Sequence, residues 1–344
     1  MKIKVETEKK YYCLEPEMLV KIALKNGFKE TKEEIEIDEY FTDIDSLFIK
    51  NRTCLRTRKT NSEDLEVTYK GKSNNLLNLF CKLENNIHVN INEYDNVLNL
   101  FTALGFYSYV EVDKKRTVYE LEKNSFKYSI MLDKLTDIGG FVEFEIIADS
   151  DNTSKEVLQN KLNEFISIFK ELNLKEATKP YRDIVADHIY ESLTKGKNNK
   201  LYINIDNELT KYEKDFFKKY KDKISEICKN NIKWGNYKKD ENISKQILNL
   251  IEEYFDNLIF DGKELLVTFE LLKRLDIEKY FITKINKEFL KILFKKLVID
   301  VQNIIYLDET KEKNIPLNSS IILSNTTLKE TNSELLILIN NYKK

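Results

Sequence analysis

The chain has 344 residues, of which 42% are hydrophobic and 33% are charged, and its formal net charge at pH 7 is −2. This length suits two ordinary domains with apolar cores, and the small net charge gives no bulk attraction to nucleic acid or to membrane lipid. Any anion-binding site must therefore be built locally, from clustered lysine and arginine side chains.

Cysteine and histidine are scarce in this chain. The four cysteines show no paired, metal-type spacing, which fits a reducing compartment, so a cytoplasmic protein is expected. No apolar run is long enough to span a membrane and no hydrophobic leader follows Met1, so no membrane partner is expected. Because His88 and His188 are the only histidines, catalysis would rest on carboxylates, lysine, arginine and a metal ion.

Strands dominate the first half of the chain. Alternating apolar and charged residues predict strands at residues 5–10, 33–41, 53–59, 65–70, 80–89, 109–121, 127–132 and 141–146. Helical spacing of apolar residues predicts helices at residues 15–25, 92–104 and 154–172. The first two helices end at Gly27 and Gly105, as the helix stop rules predict.

Nearly all of these strands carry charged residues on one face, because alternate side chains of a strand point to opposite sides. The set is Glu6, Glu8, Lys10, Arg56, Arg58, Lys70, Lys82, Glu84, Lys114, Arg116, Glu143 and Glu145. One charged face is usually just solvated, but about seven in succession predict a closed or nearly closed antiparallel barrel with a polar interior. A polyphosphate would bind such cations, and its Mg²⁺ or Mn²⁺ would bind the carboxylates.

Short motifs in a fixed order resemble one known family. They are Glu6-x-Glu8-x-Lys10, Asp38-Glu39-Tyr40-Phe41, Leu55-Arg56-Thr57-Arg58, Thr68-Tyr69-Lys70-Gly71, Lys114-Lys115-Arg116, Leu132-Asp133 and Gly140-Phe141-Val142-Glu143-Phe144-Glu145. Together they make residues 1–187 resemble a CYTH domain, the fold of class IV adenylyl cyclases and thiamine triphosphatases among the triphosphate tunnel metalloenzymes. Lys82-Leu83-Glu84 stands where the family usually has Arg-x-Glu, which keeps the charge but loses the bidentate guanidinium.

The resemblance implies an α+β fold, in which an antiparallel β-barrel forms the triphosphate tunnel and helices flank it. It implies that Mg²⁺ or Mn²⁺ binds to Glu6, Glu8, Glu143 and Glu145, with Glu84 and Asp133 as further candidates. It implies that the triphosphate binds to Lys10, Arg56, Arg58, Lys70, Lys82, Lys114 and Arg116. The residues expected to act in catalysis are Glu6, Glu8, Lys10 and Glu143.

Two reactions fit such a tunnel. In a cyclase the ribose 3′-hydroxyl of ATP attacks the α-phosphorus and pyrophosphate leaves, whereas in a triphosphatase water attacks the terminal phosphorus. Residues 104–106, 132–136 and 180–183 resemble class IV cyclases, so formation of cyclic AMP is expected first. Glu145, which completes a second Glu-x-Glu, is common among the triphosphatases and keeps hydrolysis of thiamine triphosphate, tripolyphosphate or a nucleoside triphosphate open. A non-catalytic nucleotide or polyphosphate sensor is a third alternative, although a sensor would not need the glutamates.

The second half is predicted to form a mainly α-helical domain at residues 193–344, after the tunnel domain at residues 1–190. Helices are predicted near residues 247–255, 263–275 and 277–297, strands at residues 298–307 and 317–323, and either type at residues 334–342. No family resemblance is identified here, so docking onto the barrel, homodimerisation and partner binding stay open. Nucleic acid is not an expected partner, because acidic residues interleave the lysine-rich stretches.

Overall fold

The structure is a computed structural model. It describes residues 4–71, 84–149, 154–198, 200–204, 206–228, 241–257, 263–283, 285–296, 306–307, 320–323 and 327–342. The chain divides into two compact units, Met1–His188 and Ile189–Lys344. No described helix is both long enough and apolar enough to cross a lipid bilayer.

The first unit is built mainly from strands. They are β1 (Lys4–Tyr12), β2 (Lys29–Asp43), β3 (Cys54–Lys59), β4 (Asp64–Lys70), β5 (Glu84–Asn90), β6 (Phe106–Lys123), β7 (Phe126–Leu135), β8 (Gly139–Asp149) and β9 (Lys175–Glu176). The helices are α1 (Pro16–Lys25), α2 (Leu47–Lys50), α3 (Tyr94–Ala103), α4 (Lys155–Ser167) and α5 (Tyr181–Thr194), the last of which continues into the second unit. Every strand predicted in this half is present, and residues 80–83 of the fifth lie outside the described residues.

These strands form one antiparallel sheet in the order β5-β4-β3-β2-β6-β7-β8-β1-β9. The first strand thus pairs with the eighth, and this brings the two ends of the unit together. The predicted large antiparallel sheet is confirmed. No pairing among the described residues joins the edge strands β5 and β9, so closure into a barrel stays a prediction.

The apolar core lies on one face of the sheet, beneath α1 and α4. Strand β8 shows how it forms: Val142, Phe144 and Ile146 are fully buried and pack in one cluster with Leu19 of α1 and Phe165 of α4. The residues between them, Glu143 and Glu145, point to the opposite face because side chains alternate along a strand. Because one side of the sheet is buried in the apolar core, the alternate residues of each strand must point to the opposite side.

The second unit contains a small parallel sheet among helices. Its strands are β10 (Lys200–Asn204), β11 (Glu278–Ile282), β12 (Tyr306–Leu307) and β13 (Ile321–Leu323), in the order β12-β11-β10-β13. Its further helices are α6 (Asp206–Cys228), α7 (Glu241–Asn257), α8 (Lys263–Arg274), α9 (Lys287–Lys296) and α10 (Leu328–Tyr342). The predicted helical character of this region is confirmed, and residues 334–342 prove to be helical.

One predicted helix is partly wrong. Residues 277–297 do not form a single helix, because Glu278–Ile282 is strand β11 and the helix begins only at Lys287. Tyr280, Phe281 and Ile282 favour a strand, and burial of Phe281 in the sheet outweighs the helical spacing of this stretch.

Candidate active site

The strand registers place the predicted charged residues on a single face of the sheet. Residues directly opposite each other on antiparallel strands share a face. Such pairs run across the whole sheet: Lys70↔Glu84, Arg58↔Asp38, Glu36↔Lys114, Arg116↔Asp133, Lys10↔Glu143 and Glu8↔Glu145. We call this surface, opposite the apolar core, the charged face. Lys82 belongs to the same prediction and lies outside the described residues.

Asp38, in the second half of β2, lies within ion-pair distance of three cations. Arg58 donates from Nε to Oδ1 at 2.6 Å and from Nη2 to Oδ2 at 2.8 Å. Lys114 Nζ and Arg56 Nη1 lie 3.2 Å and 3.5 Å from Oδ2. Burial alone would raise the pKa of Asp38, but these cations hold that pKa well below its usual range. The carboxylate therefore stays charged and serves as their counter-ion.

Glu36 binds two of the same cations. Its Oε2 lies 2.8 Å from Lys114 Nζ and 2.9 Å from Arg58 Nη2. Burial alone would raise the pKa of Glu36, but the neighbouring cations lower it. Glu36 is not among the predicted site residues. The signal was available, because the two-residue spacing from Asp38 puts Glu36 on the same face of the strand.

Arg56 is buried, with 9% of its surface exposed, and its hydrogen bonding is incomplete. Its Nη2 donates to Glu66 Oε1 at 3.0 Å. Within the described parts of the chain, however, no group accepts a hydrogen bond from its Nε. A buried donor without an acceptor costs about 1–3 kcal/mol. An oxygen atom of an anionic ligand would remove this cost.

Arg116 and Asp133 form a second buried pair. Arg116 donates from Nε to Asp133 Oδ1 at 2.6 Å and from Nη2 to Oδ2 at 2.5 Å, and Nη2 also reaches Glu143 Oε2 at 2.7 Å. The Tyr181 hydroxyl donates to Asp133 Oδ2 at 2.7 Å. Asp133 is a predicted candidate metal ligand, and in this structure its oxygens accept these protein hydrogen bonds.

The two predicted Glu-x-Glu pairs face each other across β1 and β8. Glu8 lies opposite Glu145, and Lys10 lies opposite Glu143. Burial, followed by the charges of Glu6, Glu8 and Glu143, raises the pKa of Glu145 to about 7. Burial also raises the pKa of Glu143. These carboxyl groups disfavour one another's charged forms, and a divalent cation would relieve that repulsion.

The donor chemistry of this group fits a hard divalent cation, since glutamate oxygens are the ligands that such ions prefer. Glu6 and Glu8 are exposed, and Glu143 and Glu145 are half-buried. Over the described residues, no three acidic, histidine or cysteine side chains already converge closely enough to hold a metal ion. The carboxylates therefore suit a metal in kind but are not preassembled around one.

Lys70 and Glu84 lie at one margin of the charged face, on β4 and β5. Lys70 Nζ and Glu84 Oε2 are 2.8 Å apart, and both side chains are partly exposed. Burial alone would raise the pKa of Glu84, but Lys70 lowers it. Glu84 is a predicted candidate metal ligand, and here it is the ion-pair partner of a predicted phosphate ligand.

A cavity of about 400 Å³ opens on the charged face beside Arg116 and Glu145. Glu34, Glu36 and Met131 also line it. Its volume falls within the range of small-molecule sites. There is thus room for a ligand next to the predicted phosphate-binding and metal-binding side chains.

Helix α5 contributes two residues that the site prediction omitted. Tyr181 packs against Phe141 of β8 with their ring centroids 5.2 Å apart, and its hydroxyl reaches Asp133. Arg182 Nη1 donates to the backbone oxygen of Thr53 at 2.9 Å, just before β3. Residues 180–183 drew attention only through their likeness to class IV cyclases. The spacing of residues along a helix does not reveal which strands the helix will cover, so these contacts were not predicted.

Comparison with known proteins places these observations in one family. The sequence model of the CYTH domain matches residues 4–182, which is more than half of the chain. A protein of Methanocaldococcus jannaschii named as a putative adenylate cyclase is 29% identical over 170 residues, covering 49% of this chain and 90% of that protein.

Solved structures are similar over the same half. A protein of Pyrococcus horikoshii is 23% identical, with a TM-score of 0.42, and the similarity covers 53% of this chain and 99% of that one. A Hippeastrum protein is 14% identical, with a TM-score of 0.41, covering 54% of this chain and 96% of that one. Its structure is described as a putative adenylyl cyclase with a dominant triphosphatase activity.

Proposed function

Since the chain belongs to the CYTH family of adenylyl cyclases and triphosphatases, we propose that it is a metal-dependent enzyme acting on a nucleoside or inorganic triphosphate. The substrate would bind along the charged face, enclosed in a barrel-shaped tunnel at residues 1–190. Residues 193–344 would form a separate domain. The division of the chain at residues 188 and 189 supports such a boundary.

One observation carries this proposal. Arg56, Arg58, Lys114 and Arg116 approach one another from β3 and β6 on a largely buried surface, and the Arg56 Nε lacks an acceptor among the described residues. Buried cations in this number are costly unless anions compensate them. Each of these four cations has a carboxylate partner here, but the Arg56 Nε has no acceptor among the described residues, and a phosphate oxygen would provide one.

Each group of residues has a distinct role in the proposal. The triphosphate oxygens accept hydrogen bonds from Lys10, Arg56, Arg58, Lys70, Lys82, Lys114 and Arg116. Glu6, Glu8, Glu143 and Glu145 hold Mg²⁺ or Mn²⁺, with Glu84 and Asp133 as further candidates. When bound, the metal supplies a Lewis acid that neutralises phosphate charge. The protein itself aligns the attacking oxygen with the phosphorus and the leaving group.

Among the two reactions we favour cyclisation of ATP. The ribose 3′-oxygen would form a bond to the α-phosphorus and lose its proton, while the bond from that phosphorus to the bridging oxygen breaks and pyrophosphate leaves. The name of the Methanocaldococcus relative and the likeness of residues 104–106, 132–136 and 180–183 to class IV cyclases support this choice.

Triphosphate hydrolysis is the second candidate, and Glu145 favours it. This residue completes a second Glu-x-Glu, a feature common among the family's triphosphatases. Thiamine triphosphate, tripolyphosphate and nucleoside triphosphates are the substrates to compare. A non-catalytic sensor of these ligands is a third candidate, and it leaves the glutamate pairs without a role.

Product analysis distinguishes these candidates. The full chain is incubated with ATP and, separately, with tripolyphosphate, each with Mg²⁺ or Mn²⁺, and the products are separated by chromatography. Cyclic AMP with pyrophosphate identifies a cyclase, and orthophosphate without cyclic nucleotide identifies a phosphohydrolase. If a ligand raises the melting temperature without being turned over, the sensor replaces both. If neither substrate reacts or binds, the proposed function is wrong.

A further inference from the structure

Tyr181 stands at the first residue of α5, yet its side chain is buried on the charged face, with 6% of its surface exposed. Two different parts of this side chain make two different contacts. The hydroxyl donates to Asp133 Oδ2 at 2.7 Å. The Lys10 Nζ lies 4.0 Å from the centre of the ring.

The ring contact matters because of the surroundings of Lys10. Within the described residues, no carboxylate lies within ion-pair distance of the Lys10 ammonium, unlike Arg58, Lys114 and Arg116. The face of an aromatic ring attracts an ammonium group within about 6 Å and keeps its other donors available. Tyr181 therefore holds Lys10 without consuming its capacity to bind an anion.

The hydroxyl contact acts on another cation. Asp133 is almost fully buried and accepts two hydrogen bonds from the guanidinium of Arg116, which also donates to Glu143. The Tyr181 hydroxyl is a third donor to the same carboxylate, and it restrains the oxygen to which Arg116 Nη2 also donates. Removal of this hydroxyl would therefore alter the position of Arg116, and with it the proposed binding of the phosphate.

We infer that Tyr181 is a positioning residue for the proposed reaction, and that it aligns Lys10 through its ring and Arg116 through its hydroxyl and Asp133. This inference rests on the proposed function. Arg182, the next residue, fixes the start of the same helix by donating to the Thr53 carbonyl oxygen at 2.9 Å. The helix start is thus anchored to the sheet at two points, which keeps the ring in place over Lys10.

Two substitutions in the full chain separate the two contacts. Tyr181→Phe keeps the ring and removes the hydroxyl, so KM for the triphosphate should rise about 10-fold while kcat stays within about 2-fold, as loss of one hydrogen bond to a charged group predicts. Tyr181→Leu also removes the ring. Its kcat should be about 10-fold lower than that of Tyr181→Phe, because Lys10 loses its cation–π contact.

Tyr119→Phe is the matched control. Tyr119 is equally buried, and its hydroxyl also donates to a carboxylate, Glu30 Oε2 at 3.2 Å, but its ring packs in the apolar core. Its kinetic constants should equal those of the wild type. In a Lys10→Met background, Tyr181→Leu should cause no further loss in kcat beyond that of Tyr181→Phe. The ammonium left near the ring is that of Lys114, which is farther from the ring centre, at 5.5 Å, and is already held by Glu36 and Asp38.

The outcomes separate this inference from the proposed function. If wild-type protein neither binds nor turns over ATP or tripolyphosphate, the proposed function fails and the inference fails with it. If the wild type is active and both Tyr181 variants match Tyr119→Phe, only the inference is overturned. It is also overturned if both variants lower the melting temperature while KM and kcat are unchanged, because Tyr181 would then be structural alone.

Discussion

Asp38 is the carboxylate that three neighbouring cations share. Arg56, Arg58 and Lys114 all lie within ion-pair distance of its carboxylate, which is fully buried. Removing one partner from a buried ion network leaves the other charges uncompensated, and this costs about 3–5 kcal/mol. The negative charge of Asp38 is therefore needed to hold these cations close together.

Asp38→Asn should lower the free energy of unfolding by about 3–5 kcal/mol, because three buried cations lose their common counter-ion. Urea unfolding measures this change. Glu33→Gln is the control: Glu33 pairs with Lys115 where both side chains are about half exposed, so the change should be under about 1 kcal/mol. Equal losses in the two variants would contradict a special role for Asp38.

Glu8→Gln tests the predicted metal ligands. The amide keeps the size of the side chain but loses its charge, so metal-dependent turnover should fall at least about 100-fold if Glu8 holds the ion. The melting temperature should stay close to that of the wild type, because Glu8 is exposed and its loss leaves no buried charge unpaired. Full activity in this variant would remove Glu8 from the site.

At the scale of elements, the junction of β1 and β8 sets the positions of both glutamate pairs. Just beyond the end of β1, the Cys13 backbone nitrogen donates to the Gly140 oxygen at 2.9 Å. A Cβ atom added to Gly140 would lie 2.6 Å from the Cys13 oxygen, which is too close for a backbone contact. Glycine is therefore required there for the two strands to approach.

Gly140→Ala should destabilise the protein by about 1–3 kcal/mol, because the two strands must shift to admit the new methyl group. Lys134→Ala is the control, since Lys134 lies directly opposite Gly140 on β7 and is exposed. That change should stay within about 0.5 kcal/mol. Chemical denaturation measures both variants, and similar values would show that the close approach has no cost.

The sheet of the first unit was largely predictable, because strict alternation along each strand reports which face is buried. The charged face followed from the same alternation. Alternation does not show which strands pair with each other. The contact of β1 with β8 joins residues far apart in sequence, and it was expected only from the family resemblance. Glu36 was overlooked although its spacing was visible. Tyr181 lies in a stretch that resembles class IV cyclases, but its contacts depend on where a helix packs and could not be predicted from that likeness.

The second unit was predicted less well for a different reason. Strands β10 and β11 are five residues each and, as parallel strands, carry no simple alternation. Their short apolar runs resemble buried helix segments, and periodicity cannot separate the two cases. The helices were easier, since α7 and α8 show the expected apolar spacing over several turns.

For the whole molecule, the acid pairs on β1 and β8 predict an unusual dependence of stability on pH. The pKa of Glu145 is about 7 in the folded protein, against an ordinary value of 4.5. The folded state therefore binds more protons than the unfolded state between these two values, so the free energy of unfolding falls as pH rises through this window.

In metal-free buffer, raising the pH from 5 to 8 should lower the free energy of unfolding by up to about 3 kcal/mol. Urea unfolding at several pH values measures this. Glu145→Gln should remove most of the decrease, because its amide does not ionise. A stability that rises steadily over the same range would contradict the raised pKa of Glu145.

The most direct test of a triphosphate site on the charged face is calorimetric titration of tripolyphosphate into the full chain, with and without Mg²⁺. Wild-type protein should bind one tripolyphosphate more tightly with Mg²⁺ than without it. Arg56→Gln should weaken that binding about 10- to 100-fold, because charge-assisted hydrogen bonds are lost. Equal affinity in the wild type and Arg56→Gln, or no binding with Mg²⁺ or Mn²⁺, would contradict a triphosphate site on the charged face.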